Sequence, residues 1–181
     1  MARPVLAVER LTRAAFAAFG DVIAVEGSRH YTINDGHAER HHDLATVDVD
    51  AAGGRPLINI FRARPWPLPL RVAMVERHPL SSQTFIPLAP APFLLIVAAA
   101  GAAPRIADLR AFVTDGLQGV SYSRGTWHHP VLALDRTTDF LVVDRGGPGE
   151  NCDVTSFGDE GPAVDWPPAD PANQPRMHNP T

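Results

Sequence analysis

Glu76-Arg-His-Pro-Leu-Ser-Ser-Gln-Thr-Phe-Ile-Pro87 is the stretch that decides the fold. It joins the end of one extended run, Leu70 to His78, to the start of another, Gln83 to Pro87, through the turn-like Pro79-Leu-Ser-Ser. Side chains of an extended segment alternate with a period of two, so Glu76 and His78 share a face. Gln83 follows just past the turn. Groups able to bind a metal or move a proton are thus gathered between apolar runs. A second polar group, Trp127-His128-His129-Pro130, follows further along. The expectation is a fold that brings His128 opposite His78.

Working outward, the same texture repeats. Leu57–Phe61, Phe93–Ala98, Leu109–Val113, Gly119–Tyr122, His129–Leu134 and Asp139–Asp144 all read as short strands. Asp115-Gly116, Arg124-Gly125, Asp135-Arg136 and Gly146-Gly147 punctuate them as turns. Arg64-Pro-Trp-Pro-Leu-Pro can be neither helical nor central in a sheet. Many short strands with almost no helical periodicity between them predict an all-β sandwich or barrel. A parallel α/β sheet would need a crossover helix between strands, and there is no room for one. Near the N-terminus, Thr12 reads as the cap of a short alanine-rich helix that ends at Gly20, with Phe16 and Phe19 on one face. Residues 28–43 are loop-like, with a turn at Asn34-Asp35-Gly36. Residues 1–160 read as one domain, and the Pro-rich tail 161–181 as extended or disordered.

Composition excludes several functions. The 181-residue chain has a formal net charge of −4 and a pI near 6.0, which offers no general attraction for nucleic acid or anionic membranes. All 16 basic residues are arginine, so Schiff-base chemistry on lysine is ruled out. Cys152 is the only cysteine, and no internal disulfide can form. The N-terminus lacks the apolar core of a signal peptide, and the longest apolar run, Phe93 to Ala103, is too short to span a bilayer. These features predict a soluble, cytoplasmic protein.

Two motifs carry the chemistry: Glu76-x-His78-x4-Gln83 and Gly119-x5-Gly125-x2-His128. Together they resemble the motif pair of the cupin superfamily, whose small jelly-roll barrel sets a His-x-His-x(3–4)-Glu hairpin against a Gly-x5-Pro-x-Gly-x2-His hairpin. On that pattern Glu76 stands at the first histidine position, His78 at the second, Gln83 at the glutamate and His128 at the last histidine, while Ser123 replaces the proline. Longer strings sharpen the resemblance. Ile33-Asn-Asp-Gly, Glu39-Arg-x-His-Asp-Leu, Glu76-Arg-His-Pro-Leu-x-x-Gln-x-Phe-Ile-Pro, Gln118-Gly-Val-x-Tyr, Trp127-His-His-Pro, Asp144-Arg-Gly-Gly and Asn151-Cys-Asp-Val, in this order, are similar to the bacterial ureidoglycolate lyase family. The resemblance implies a homodimeric cupin-like jelly-roll enzyme of allantoin and purine catabolism that cleaves (S)-ureidoglycolate to glyoxylate and urea. It implies no obligatory cofactor, but stimulation by a divalent metal such as nickel, zinc or manganese, held by His78, Gln83 and His128. The amide in place of the expected carboxylate predicts a weaker metal site.

The reaction itself sorts the residues. Ureidoglycolate carries a hydroxyl, a carboxylate and a urea nitrogen on one carbon. Elimination needs a base for the hydroxyl proton and an acid for the departing nitrogen. His78 or His128 suits the base, Glu76 the acid or an orienting partner, and Gln83 a hydrogen bond to the urea amide. Arg62, Arg124 and Arg145 are candidates to hold the substrate carboxylate, since a guanidinium binds it in bidentate fashion. Alternation puts Arg77 on the face opposite Glu76 and His78. His129 should point away from His128, to the rim or an interface. Four of the eight histidines, His30, His37, His41 and His42, fall in the loop-like segment, which reads as a lid or a dimer contact. Cys152 has no base or nucleophile motif beside it. The rival reading is a cupin-fold binding protein or sensor for a small carboxylate, which would not need both histidines.

Overall fold

A computed structural model describes residues 4–166, and its regular structure is strand apart from one four-residue α-helix and a few 3-10 turns. Residues 167–181, most of the tail, lie outside the described residues. Two sheets dominate. One contains seven strands and is centred on Phe93–Ala98, which pairs with Arg110–Val113 on one side and with Trp127–His128 and Leu132–Ala133 on the other. The other has five strands, in the order Gly20–Ile23, Gly119–Tyr122, Gln83–Pro87, Thr138–Gly146 and Arg55–Ala63. The all-β architecture expected from the strand pattern, and the cupin-like barrel implied by the resemblance, are observed.

The run Phe93-Leu-Leu-Ile-Val-Ala is apolar at every position because both of its faces are buried. Phe93, Leu95 and Val97 point into a core shared with Phe85, Phe112, Val120, Phe140 and Val142. Leu94, Ile96 and Ala98 point into a second core with Val72, Val75, Leu109 and Trp127. A strand with water on one side would alternate polar and apolar, so the continuous run marks the middle layer.

The helix is shorter than its sequence suggests. It spans Arg13–Phe16, and Thr12 Oγ1 accepts the Ala15 N–H at 3.2 Å. Phe16 and Phe19 both enter the first core. The chain turns sharply at Gly20, where φ is +147° and a Cβ would lie 2.0 Å from the Ser121 carbonyl oxygen. The single strand expected over Leu70–His78 is two: Leu70–Arg71 and Met74–Arg77 belong to different sheets. Val72 between them bonds Pro162 instead of continuing either ladder. Regular structure also runs past residue 160. Ala163–Val164 lies between Val5–Leu6 and Leu70–Arg71, and Val164 joins the second core.

Residues 28–43 are more regular than a loop. His30–Ile33 and Ala38–His41 form a separate two-stranded hairpin. Its turn places Asn34, Asp35 and Gly36 at positive φ, which these residue types tolerate best.

Candidate active site

The site begins at the end of the strand Met74–Arg77. Glu76 is paired across the sheet with Val154 on one side and His128 on the other. His78 lies just past the strand, where the turn Pro79–Ser82 is clamped by Asn151. The Asn151 Oδ1 accepts the Leu80 N–H at 2.8 Å, its Nδ2 donates to Ser81 Oγ at 3.0 Å, and its backbone carbonyl accepts from His78 Nδ1 at 2.7 Å. His78 is therefore fixed from two directions by one residue distant in sequence.

His128 is held differently. Its Nδ1 donates to the Thr126 carbonyl at 2.9 Å, and Thr126 Oγ1 in turn donates to the Phe19 carbonyl at 2.9 Å. Tyr122 stacks flat on the imidazole, with ring centres 4.3 Å apart and planes 13° from parallel. The side chain is 1% exposed, and burial pushes its imidazole down to about 3, against a weaker upward pull from the Thr126 bond. It stays neutral near pH 7.

The two imidazoles face each other with ring centres 5.2 Å apart. Each commits its Nδ1–H to a backbone carbonyl, which leaves Nε2 directed at the other groups of the site. The His128 Nε2 is buried with no hydrogen-bond partner among the described residues; the closest charge is Glu76 Oε1 at 3.8 Å. Glu76, His78 and His128 each offer one ligand atom, all within 4.8 Å of one another. Histidines anchored through one nitrogen, with the other free beside a carboxylate, are what a divalent metal requires of its ligands. The residues therefore fit a metal. Burial raises the Glu76 carboxyl above its ordinary value, and the nearby His78 opposes the shift.

Gln83 begins the strand on the other sheet and is buried. Its Oε1 is 3.2 Å from His78 Nε2. Since His78 Nδ1 already donates to a carbonyl, the space between Nε2 and Oε1 calls for something positive: a proton or a metal ion. Outside these groups lies a depression of about 330 Å³, lined by His78, Ser81, Gln83, Asp144, Arg145, Glu150, Asn151 and Cys152.

The structure separates the candidate arginines. Arg145 lines the depression; its Nε and Nη2 donate to the Ala51 carbonyl, Nη2 also to that of Pro148, and Nη1 has no partner among the described residues. Arg62 forms a bidentate pair with Asp139 on a different part of the surface. Arg124 is engaged by Asp48, with Nε donating to Oδ2 at 2.9 Å. Arg77 turns to Asp153 and lies over the Trp127 ring at 4.7 Å.

His129 is not at the rim. It is buried, its N–H bonds the Ile96 carbonyl, and Trp66 meets its ring edge-on at 5.6 Å. It is the first residue beyond the two-residue strand Trp127–His128, and Trp66 covers it from solvent. Cys152 lines the depression near Glu76, and burial, then Glu76 and Asp153, raise its thiol, which disfavours the thiolate. Sequence reasoning did not single out Tyr122, Asn151 or Asp144 as site residues, although each lies in a string that carried the family resemblance. Their roles depend on contacts with residues far away in the chain.

A family model described as ureidoglycolate lyase matches residues 3–164. The chain is 58% identical over 150 residues to a ureidoglycolate lyase from Burkholderia cepacia, covering 83% of this chain and 85% of that protein. It is 55% identical over 152 residues to the ureidoglycolate lyase of Pseudomonas syringae pv. tomato (84% and 89%). It is 51% identical over 156 residues to that of Azotobacter vinelandii (86% and 94%). With both motifs, the barrel and nearly the whole described chain included in these matches, the protein belongs to the ureidoglycolate lyase family.

Proposed function

We propose that the protein is a ureidoglycolate lyase that converts (S)-ureidoglycolate to glyoxylate and urea by acid–base elimination. The observation that carries the reading is the meeting of Glu76, His78 and His128, with His78 also lining the depression that holds Arg145. Arg145 offers its free Nη1 to the substrate carboxylate. Glu76, whose raised carboxyl makes it a stronger base than an ordinary carboxylate, takes the hydroxyl proton. The oxygen lone pair then forms the aldehyde C=O as the C–N bond breaks. His78, donating through Nδ1 to Asn151 and carrying a proton on Nε2, delivers that proton to the departing nitrogen. His128 is unsuited to either proton transfer, because its buried imidazole is too weakly basic. Its unpartnered Nε2 is better used, with Glu76 and His78, to hold a divalent ion in place of the His78 Nε2 proton; the elimination written here is that of the metal-free site. Such an ion would add positive charge for the substrate oxygens.

The enzyme is proposed to be cytoplasmic; among the described residues no helix is long and apolar enough to cross a membrane. It is also proposed to be a homodimer. Ile58 and Ile60, 77% and 55% exposed, point the same way from the edge strand Arg55–Ala63, an apolar edge that a second copy would cover. Ile58→Glu with Ile60→Glu should halve the mass measured by light scattering; an unchanged mass refutes that surface.

The deciding assay supplies racemic ureidoglycolate to metal-stripped protein, with and without added nickel, manganese or zinc. Glyoxylate with urea is expected. Ammonia as the nitrogen product, or binding without turnover, would overturn the reading.

A further inference from the structure

Asp144 is the one carboxylate of the depression that is half-buried and has no cationic partner among the described residues. Asp48, Asp108, Asp139, Asp153 and Asp159 are each paired with an arginine. Asp144 is not, although Arg145 is its neighbour in sequence; that guanidinium is directed to the carbonyls of Ala51 and Pro148 instead. A carboxylate withdrawn from water and left without a counter-charge has unmet demand for donors. Burial accordingly raises the Asp144 carboxyl, against the opposing effects of His78 and of side-chain bonds from Gln83 and Asn59.

A bond from Asn59 positions it. Asp144 lies on the long strand Thr138–Gly146, beside Arg55–Ala63. Asn59 on that neighbouring strand donates Nδ2 to Asp144 Oδ1 at 2.9 Å. The strand that begins at Gln83 flanks it on the other side. A carboxylate offers about four lone-pair positions, so roughly three remain for the depression.

The Gln83 Oε1 lies 3.2 Å from His78 Nε2, so its acceptor end is engaged within the protein. Asp144 keeps acceptor positions open to the depression. A ureido group presents two parallel N–H donors, one from each nitrogen, which match the two oxygens of a carboxylate as a guanidinium does. The depression therefore has two poles: the Arg145 guanidinium for an anionic end, and the Asp144 carboxylate for a donor-rich end.

We propose that Asp144 binds the ureido N–H groups of the substrate and thereby sets the departing nitrogen beside His78, an inference that rests on the lyase reading above. It makes the site selective for α-hydroxy acids bearing a ureido group over those bearing an ester or an ether, which lack the paired donors.

The test is inhibition of glyoxylate or urea release by the two halves of the substrate: urea for the donor pole and oxalate for the anionic pole. Asp144→Asn keeps the shape but turns one acceptor into a donor. It should raise the inhibition constant of urea by at least about ten-fold, the loss expected for hydrogen bonds to a charged group, and change that of oxalate by less than about two-fold. Arg145→Gln should give the reverse pattern. Asn59→Ala, which removes a support and leaves the carboxylate, should shift urea in the same direction but less. Asp144→Glu should recover part of the urea affinity. Equal shifts for both inhibitors, or none for urea, in Asp144→Asn and Asn59→Ala would overturn the assignment. The outcome is separable from the lyase reading: a parent enzyme that does not cleave ureidoglycolate refutes both, whereas one that cleaves it while the variants keep their urea affinity refutes only the role of Asp144.

Discussion

Two pairs of histidines in this chain have the same spacing. His78 and His128 lie with ring centres 5.2 Å apart, and so do His30 and His41. Everything around them differs. The first pair joins two distant segments across a barrel, with each ring tied through Nδ1 to a backbone carbonyl and Glu76 between them. The second pair are cross-strand neighbours in the small hairpin; His41 Nδ1 bonds the Ser28 hydroxyl at 2.7 Å and His30 reaches only the Ser28 carbonyl at 3.4 Å. Glu39 Oε2 lies 3.9 Å from His41 Nε2 but is exposed, and no third ligand group comes within reach of both rings among the described residues. Ring spacing alone therefore does not make a site. Burial, a tautomer fixed on each ring and a half-buried carboxylate within reach of both do.

The contrast can be broken by experiment. The largest effect expected is at His78: His78→Ala should lower kcat for glyoxylate release by about 1,000-fold, within the range of a general acid, while His30→Ala leaves it within about two-fold. A comparable loss from His30→Ala would show the hairpin to be part of the machinery. Next, His128→Ala should lower the metal-stimulated rate by about ten- to 100-fold, and titration calorimetry should show divalent-metal affinity weakened by at least about ten-fold. Retention of both would leave His128 as packing alone.

The arginines repeat the contrast at smaller scale. Arg145→Gln should raise KM by about ten-fold, the worth of one charged hydrogen bond, with kcat nearly unchanged. Arg62→Gln removes only an exposed pair with Asp139 and should leave both kinetics and melting temperature essentially unchanged. The smallest effect is a slope. In metal-free protein the buried His128 imidazole is held near about 3, whereas the unfolded chain takes up that proton near the ordinary 6.5. The unfolded state then binds more protons between those values, so stability falls as the pH drops through them. His128→Asn should flatten this part of the melting-temperature profile; an unchanged profile would argue against a neutral, buried imidazole.

Much of this was legible from particular residues. Alternation in Glu76-Arg-His placed Arg77 away from its neighbours, and Arg77 indeed turns to Asp153 and Trp127. The apolar run at Phe93–Ala98 was legible as a strand, and the structure buries both of its faces. Other features were not legible. The break at Val72–Ala73 follows from a bond to Pro162, which no local pattern signals. Asn151, Asp144 and Tyr122 look like ordinary polar or aromatic strand residues until long-range pairing sets them against His78, Gln83 and His128. The choice among Arg62, Arg124 and Arg145 turned on which had already been taken by a neighbouring aspartate.

By itself, then, the sequence determined the short strands, the turns between them, the all-β architecture, the family and the two histidines that had to meet. These follow from period-two patterning and turn chemistry, which act within a few residues. Only the tertiary structure decided which nitrogen of each imidazole was left free, which arginine faced the depression, and which carboxylate stood without a partner. Those properties belong to groups brought together from segments up to dozens of residues apart, where burial and hydrogen-bond geometry, not local propensity, set the chemistry.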